Sequence, residues 1–116
     1  MSRIPPVPLP DDLPVHNNLV RATYTNPDMH RGFASLSGRV HSASHLPSRI
    51  RELVVLRVAA MLGAEYEWQQ HARIAERSGI TPAECEALRA GDLEPFDDAE
   101  RAAITFVTAV ERRAVS

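Results

Sequence analysis

The most apolar stretch of the chain runs from residue 50 to residue 62. Within it Leu53, Val54, Val55, Leu56, Val58, Ala59, Ala60 and Met61 leave only Arg51, Glu52 and Arg57 polar. The β-branched start, ELVVLRV, would suit a strand. The run continues through AAML without a turn residue, however, and a length of about a dozen residues favours a helix. Surface helices carry a polar face, so a helix apolar on most of its faces predicts a buried, central element.

The flanking pattern predicts further helices. Asn26 and Pro27 offer a cap and a first-turn proline, and Phe33, Leu36 and Val40 follow at helical spacing, which predicts a helix over residues 27–43. A weaker helical stretch precedes it over residues 15–24. Leu46, Pro47 and Ser48 punctuate the chain and start the apolar helix. Gly63 marks a bend, and residues 64–78 form another helix closed by Gly79. Thr81, Pro82 and Glu84 have the spacing of a capping box that opens a short helix to residue 90, closed by Gly91. Asp97 and Glu100 repeat the device ahead of Ile104, Phe106, Val107 and Val110. No stretch alternates as a strand does, so the fold is expected to be all-α. Five of the nine prolines fall within the first 14 residues, which predicts an extended arm over residues 1–14 and a helical domain over residues 15–116.

Composition narrows the function classes. A chain of 116 residues with 44% hydrophobic content and a net charge of −2 reads as one ordinary soluble domain. There is no basic excess to meet nucleic acid or an anionic membrane, so neither is an expected partner. All 13 cationic residues are arginine. Without lysine there is neither Schiff-base chemistry on a lysine nor a P-loop, which requires one. Cys85 is the sole cysteine and cannot form an internal disulfide or a C-x-x-C pair. With no apolar core of signal-peptide length at the N-terminus and no run approaching the ~20 residues of a membrane span, the expected location is the cytoplasm.

Candidate chemistry centres on the helix over residues 64–78. Positions 64, 67, 71, 74 and 78 share a stripe, with Ala64 and Ile74 suited to burial and Glu67 and His71 between them. Trp68, Ala72 and Ala75 form an apolar stripe beside it, while Arg73, Glu76 and Arg77 mark the solvent side. A carboxylate and an imidazole on an inward face must be paired or used. One turn apart they can exchange a proton, which makes His71 a candidate general acid or base and Glu67 its partner. The plainer alternative is an i,i+4 pair on a half-exposed face, worth a few tenths of a kcal/mol at most, about 0.2–0.5.

Glu52 is the second polar anomaly, either a member of the same site or an acidic first-turn residue favoured by the helix dipole. His41 and His45 are four apart but lack an H-E-x-x-H arrangement and lie at a helix end, so no metal site is expected. Cys85 sits between Glu84 and Glu86, which disfavour its thiolate. Arg49, Arg51 and Arg57 can either hold an anionic substrate or be ordinary solvated arginines. No cofactor is expected.

The run LPSRIRELVVLRVAAMLGAEYEWQQHARIAERSGITPAECEAL resembles the core motif of the carboxymuconolactone decarboxylase-like superfamily, which includes the AhpD-type alkylhydroperoxidases. The resemblance is specific over residues 46–88 and extends over residues 26–110. It implies an AhpD-like orthogonal helical bundle of about five to six helices with a helical-hairpin core. It also implies a homo-oligomer, commonly a dimer, trimer or hexamer.

In the peroxidase branch a glutamate, two cysteines and a histidine carry the chemistry. By resemblance Glu52 falls on the glutamate and His71 on the histidine, while Ala64 and Glu67 fall on the cysteines. Without either sulfur, dithiol peroxide reduction cannot run as it does there. The decarboxylase branch, which also lacks the cysteine pair, is the nearer likeness. It implies proton management on a small carboxylate or lactone by His71, Glu67 and Glu52.

Many similar proteins continue for several dozen residues beyond the helix ending near Arg113. The expectation is therefore either that oligomer contacts replace those helices or that the chain is a C-terminally truncated piece. Three readings stand at this level: a lyase- or isomerase-like enzyme, a peroxiredoxin-related antioxidant family member without its own dithiol, and a non-catalytic helical oligomerisation module.

Overall fold

The structure, a computed structural model, describes residue 3 and residues 5–114. It contains six α-helices and, among the described residues, no strand: α1 (Asn18–Thr23), α2 (Pro27–Ser42), α3 (Ser48–Leu62), α4 (Glu65–Arg77), α5 (Pro82–Ala90) and α6 (Asp98–Ala114). The all-α expectation holds. Among the described residues no helix is long and apolar enough to cross a membrane. The chain divides into two compact units, residues 1–45 and 46–116.

In the first unit α1 is shorter than the sequence predicts, and it begins where the Asn17 side chain accepts the Val20 N–H at 2.9 Å. The Asn26 side chain caps α2 by accepting the Met29 N–H, with Pro27 in the first turn. The two helices pack on each other and enclose His30, whose Nδ1 lies 2.8 Å from Thr23 Oγ1. The Tyr24 ring meets the His30 imidazole edge-on at 5.4 Å between centroids. The apolar residues that predicted α2 do not enter a core within this unit. Phe33, Leu36 and Val40, with Met29, form an exposed stripe at alternating four- and three-residue spacing.

The second unit is built around α3, which packs against α4, α5 and α6. Leu53, Leu56 and Ala59 of α3 meet Trp68 and Ala75 of α4, Leu88 of α5, Phe96, and Ile104 of α6 in one core. The sequence expectation of a central apolar helix is met. Gly63 ends α3 in the left-handed conformation at φ 62°, a backbone state that only glycine adopts without a Cβ penalty, and α4 starts two residues later. On α4 the buried face is the Trp68–Ala75 stripe. The stripe through Glu67, His71 and Ile74 runs along the margin of the core, and Ile74 is 41% exposed rather than buried. The guanidinium of Arg89 stacks over the Trp68 ring at 3.8 Å from its centroid.

Both predicted capping boxes form. Thr81 and Glu84 exchange side chain-to-backbone hydrogen bonds at the start of α5, and Asp97 and Glu100 do the same at the start of α6. Arg49, in the first turn of α3, reaches both. It donates to Glu84 at 2.7 Å, to Glu100 at 2.6 Å and to the Gly79 carbonyl at 2.6 Å.

Candidate functional site

Glu52 follows Arg51 on α3, one residue ahead of the core leucine Leu53. It is not a first-turn residue exposed to the dipole, because α3 begins at Ser48 and the Glu52 side chain is only 1% exposed. Helical geometry turns its carboxylate toward α4, where Trp68 and Ala75 anchor the apolar face of that helix in the core and set His71 beside it. Glu52 Oε2 lies 2.7 Å from His71 Nδ1. When the carboxylate is ionised it can only accept, and this bond then places the proton on Nδ1 and aims Nε2 the other way. The Glu52 Oε1 atom faces Arg51 Nε at a longer 3.4 Å.

On the Nε2 side stands Glu67, with its Oε2 3.7 Å away. That is ion-pair range but beyond hydrogen-bond length. The Glu67 side chain is 46% exposed and that of His71 15%, so the imidazole is a partly covered group between a buried carboxylate and a solvent-facing one. The polar centre read from the sequence as Glu67 with His71 is thus tighter on its other side, where Glu52 makes the shorter bond. All three residues named from the sequence come together in one place. The chemistry open to them is proton transfer at Nε2, with Glu52 holding the ring's orientation and balancing the charge of the imidazolium.

The remaining candidates fall elsewhere. Cys85 lies on α5, and its thiol pKa is pushed up first by burial and then by the charges of Glu84 and Glu86. The direction agrees with the sequence reading, but burial is the larger cause. His41 Nδ1 lies 2.9 Å from the Ser37 carbonyl one turn back in α2. Among the described residues no group of three or more His, Cys, Asp or Glu side chains converges as a metal site would. Arg49 is taken up by the two caps, and Arg51 lies against Glu52. Arg57 donates to the Leu88 carbonyl and to Thr108.

Two residues escaped the sequence reading. His30 is buried in the first unit, yet no chemistry-bearing residue at helical spacing marked it. Glu100 is also buried, and its capping spacing was visible while its bond to Arg49 was not.

An all-helical protein that pairs a buried glutamate on one helix with a histidine on the next is the class defined by this fold and site. The model of the Carboxymuconolactone decarboxylase family matches residues 27–109, most of the chain, and the chain belongs to that family. No curated protein and no solved structure matches the chain.

Proposed function

We propose that this family member carries out acid–base chemistry on a small carboxylate or lactone, with His71 moving the proton. The observation that carries this reading is the 2.7 Å bond from His71 Nδ1 to a carboxylate buried in the helical core. In the proposed step the carbon–carboxyl bond breaks as CO2 leaves, its electron pair moves onto the neighbouring carbonyl as an enolate, and Nε2 delivers a proton to the carbon. Glu52 keeps the ring in the required tautomer and offsets the charge that appears on it, and Glu67 passes protons between Nε2 and solvent. Such a mechanism calls for no metal and no redox cofactor. The family's decarboxylase name supports the substrate class, and the raised pKa of Cys85 disfavours a thiol-based alternative.

We further propose a homo-oligomer working in a reducing cytoplasm. The exposed α2 stripe of Met29, Phe33, Leu36 and Val40 favours the first, and the single cysteine favours the second.

The test is to incubate the chain with a carboxylated γ-lactone in deuterated water and follow carboxyl loss and deuterium uptake by NMR. Turnover is expected to fall about 10²–10⁴-fold in His71→Gln, the usual contribution of a positioned acid–base group. A smaller fall is expected in Glu52→Gln, which keeps the shape but not the charge. Equal rates in wild type and a folded His71→Gln variant would sink the reading.

A further inference from the structure

Five residues beyond Glu52 on α3, and so turned roughly 140° around the helix, Arg57 opens into a different cleft. This cleft has a volume of about 280 Å³ and is lined by Arg57 of α3, by residues of α6, and by Gly91 and Leu93 from the segment between α5 and α6. From α6 it receives Thr105, Thr108 and Arg112, which share one face at three- and four-residue steps, with Leu93 and Ala109 as its accessible apolar wall.

Arg57 is held in place by neutral groups alone. Its Nη1 donates to the Leu88 carbonyl at 2.7 Å and its Nε to Thr108 Oγ1 at 3.2 Å. Thr108 is itself oriented by donating to the Ile104 carbonyl at 2.7 Å, so its oxygen is presented to Arg57 as an acceptor. Among the described residues Nη2 makes no hydrogen bond, and neither Arg57 nor Arg112 forms an ion pair. Asp92, between the lining residues Gly91 and Leu93, turns its carboxylate to the Glu94 N–H. Gly91 borders the guanidinium, and a Cβ there would lie 3.4 Å from Nη2, an ordinary van der Waals contact.

The contrast with Arg49 is informative. That guanidinium is matched by two carboxylates, and its charged form is reinforced by its bonds to them. Arg57 has the opposite balance: burial, and then the like charge of Arg112, work against its charged form. Two guanidinium groups facing one cleft without a counter-charge are what a site for an anion requires.

We propose that this cleft binds a small organic carboxylate, its carboxyl group held by Arg57 and Arg112 together and its carbon body lying against Leu93 and Ala109. The apolar wall favours an organic acid over an inorganic anion, which would leave that wall unused. The site is separate from the Glu52–His71 pair and does not depend on proton chemistry there.

The test is calorimetric and NMR titration of the full chain with succinate at constant ionic strength, with inorganic phosphate as a second arm. Saturable binding of succinate is expected with a Kd on the order of 1 mM. Arg112→Gln, a change at an exposed side chain that leaves the fold alone, is expected to weaken it about tenfold. Arg77→Gln on α4 removes the same charge elsewhere and is expected to leave binding unchanged. Absence of saturation by about 10 mM succinate, equal affinity in wild type and Arg112→Gln, or tighter binding of phosphate than of succinate would each overturn the proposal. The readout is binding rather than turnover, so it fails or stands independently of the activity proposed for His71.

Discussion

A carboxylate with 1% of its side chain exposed must be compensated where it stands, and Glu52 relies on His71 for its one short bond. His71 is less dependent, because 15% of its side chain is exposed and Glu67 lies on its other side. The two single deletions should therefore be unequal. His71→Leu leaves a buried charge with only the long contact to Arg51 and is expected to cost about 3–5 kcal/mol. Glu52→Leu leaves an imidazole that still reaches solvent, and a loss nearer 1 kcal/mol is expected. The double variant should recover most of the larger loss. Urea denaturation of the four proteins measures this cycle, and equal losses in the two single variants would show that burial of Glu52 is not what sets the cost.

Part of this site was legible in the sequence. Glu52 stood out in an otherwise apolar helix, and His71 stood out on a stripe that looked inward. Their bond was not legible, because residues 19 apart meet only through the crossing of α3 and α4. Glu67 looked like the main partner because a sequence displays closeness within one helix directly, here at i,i+4 spacing, and closeness between helices not at all.

At the level of helices, one arginine joins the starts of two of them. Arg49 donates to Glu84 and Glu100, the third helical residues of α5 and α6, each already engaged in its own capping box. All three side chains are less than one-third exposed, so solvent weakens these bonds only in part. Arg49→Ala is expected to destabilise the fold by about 2–4 kcal/mol. Arg49→Lys should recover less than half of that, because a point-like ammonium cannot serve two carboxylates and a carbonyl together.

The Glu84 carboxyl is held below its ordinary value first by the Arg49 hydrogen bond and then, against the opposing effect of burial, by Thr81. The unfolded chain therefore binds a proton at a pH where the folded chain does not, and stability rises with pH across that window. The contribution is fully present above the ordinary carboxylate value of 4.5 and is lost as pH falls through the lowered one. Thermal melts between neutral and acid pH should show a flatter acid limb in Glu84→Gln than in wild type. Sequence alone supplied both capping boxes, since each spans four adjacent residues. The arginine that links them lies more than thirty positions earlier in the chain and carried no local signal.

For the molecule as a whole, family and helix order were readable because apolar period, caps and glycine stops all agreed. What periodicity could not tell is which apolar faces would find cover. On α2 the residues that announced the helix are those left exposed. Each large side chain is worth about 1.5–3 kcal/mol when fully buried, against an association cost of about 4–15 kcal/mol. One stripe of four, about 6–12 kcal/mol at full burial, is comparable with that cost, and a stripe from each copy exceeds most of its range. In light scattering the wild-type chain is expected to have a multiple of its 12.8 kDa mass. Phe33→Glu with Leu36→Glu should return it to the monomer mass without loss of helicity. A monomeric wild type would remove the proposed oligomer.

Trp68, sandwiched between the core and the guanidinium of Arg89, is the only tryptophan in the chain. Its emission is therefore an optical probe confined to the second unit, whereas circular dichroism records helices in both. Comparing the two signals during unfolding separates a concerted transition from a stepwise one. A shift in that emission reports on the unit that carries Glu52 and His71, with no label added.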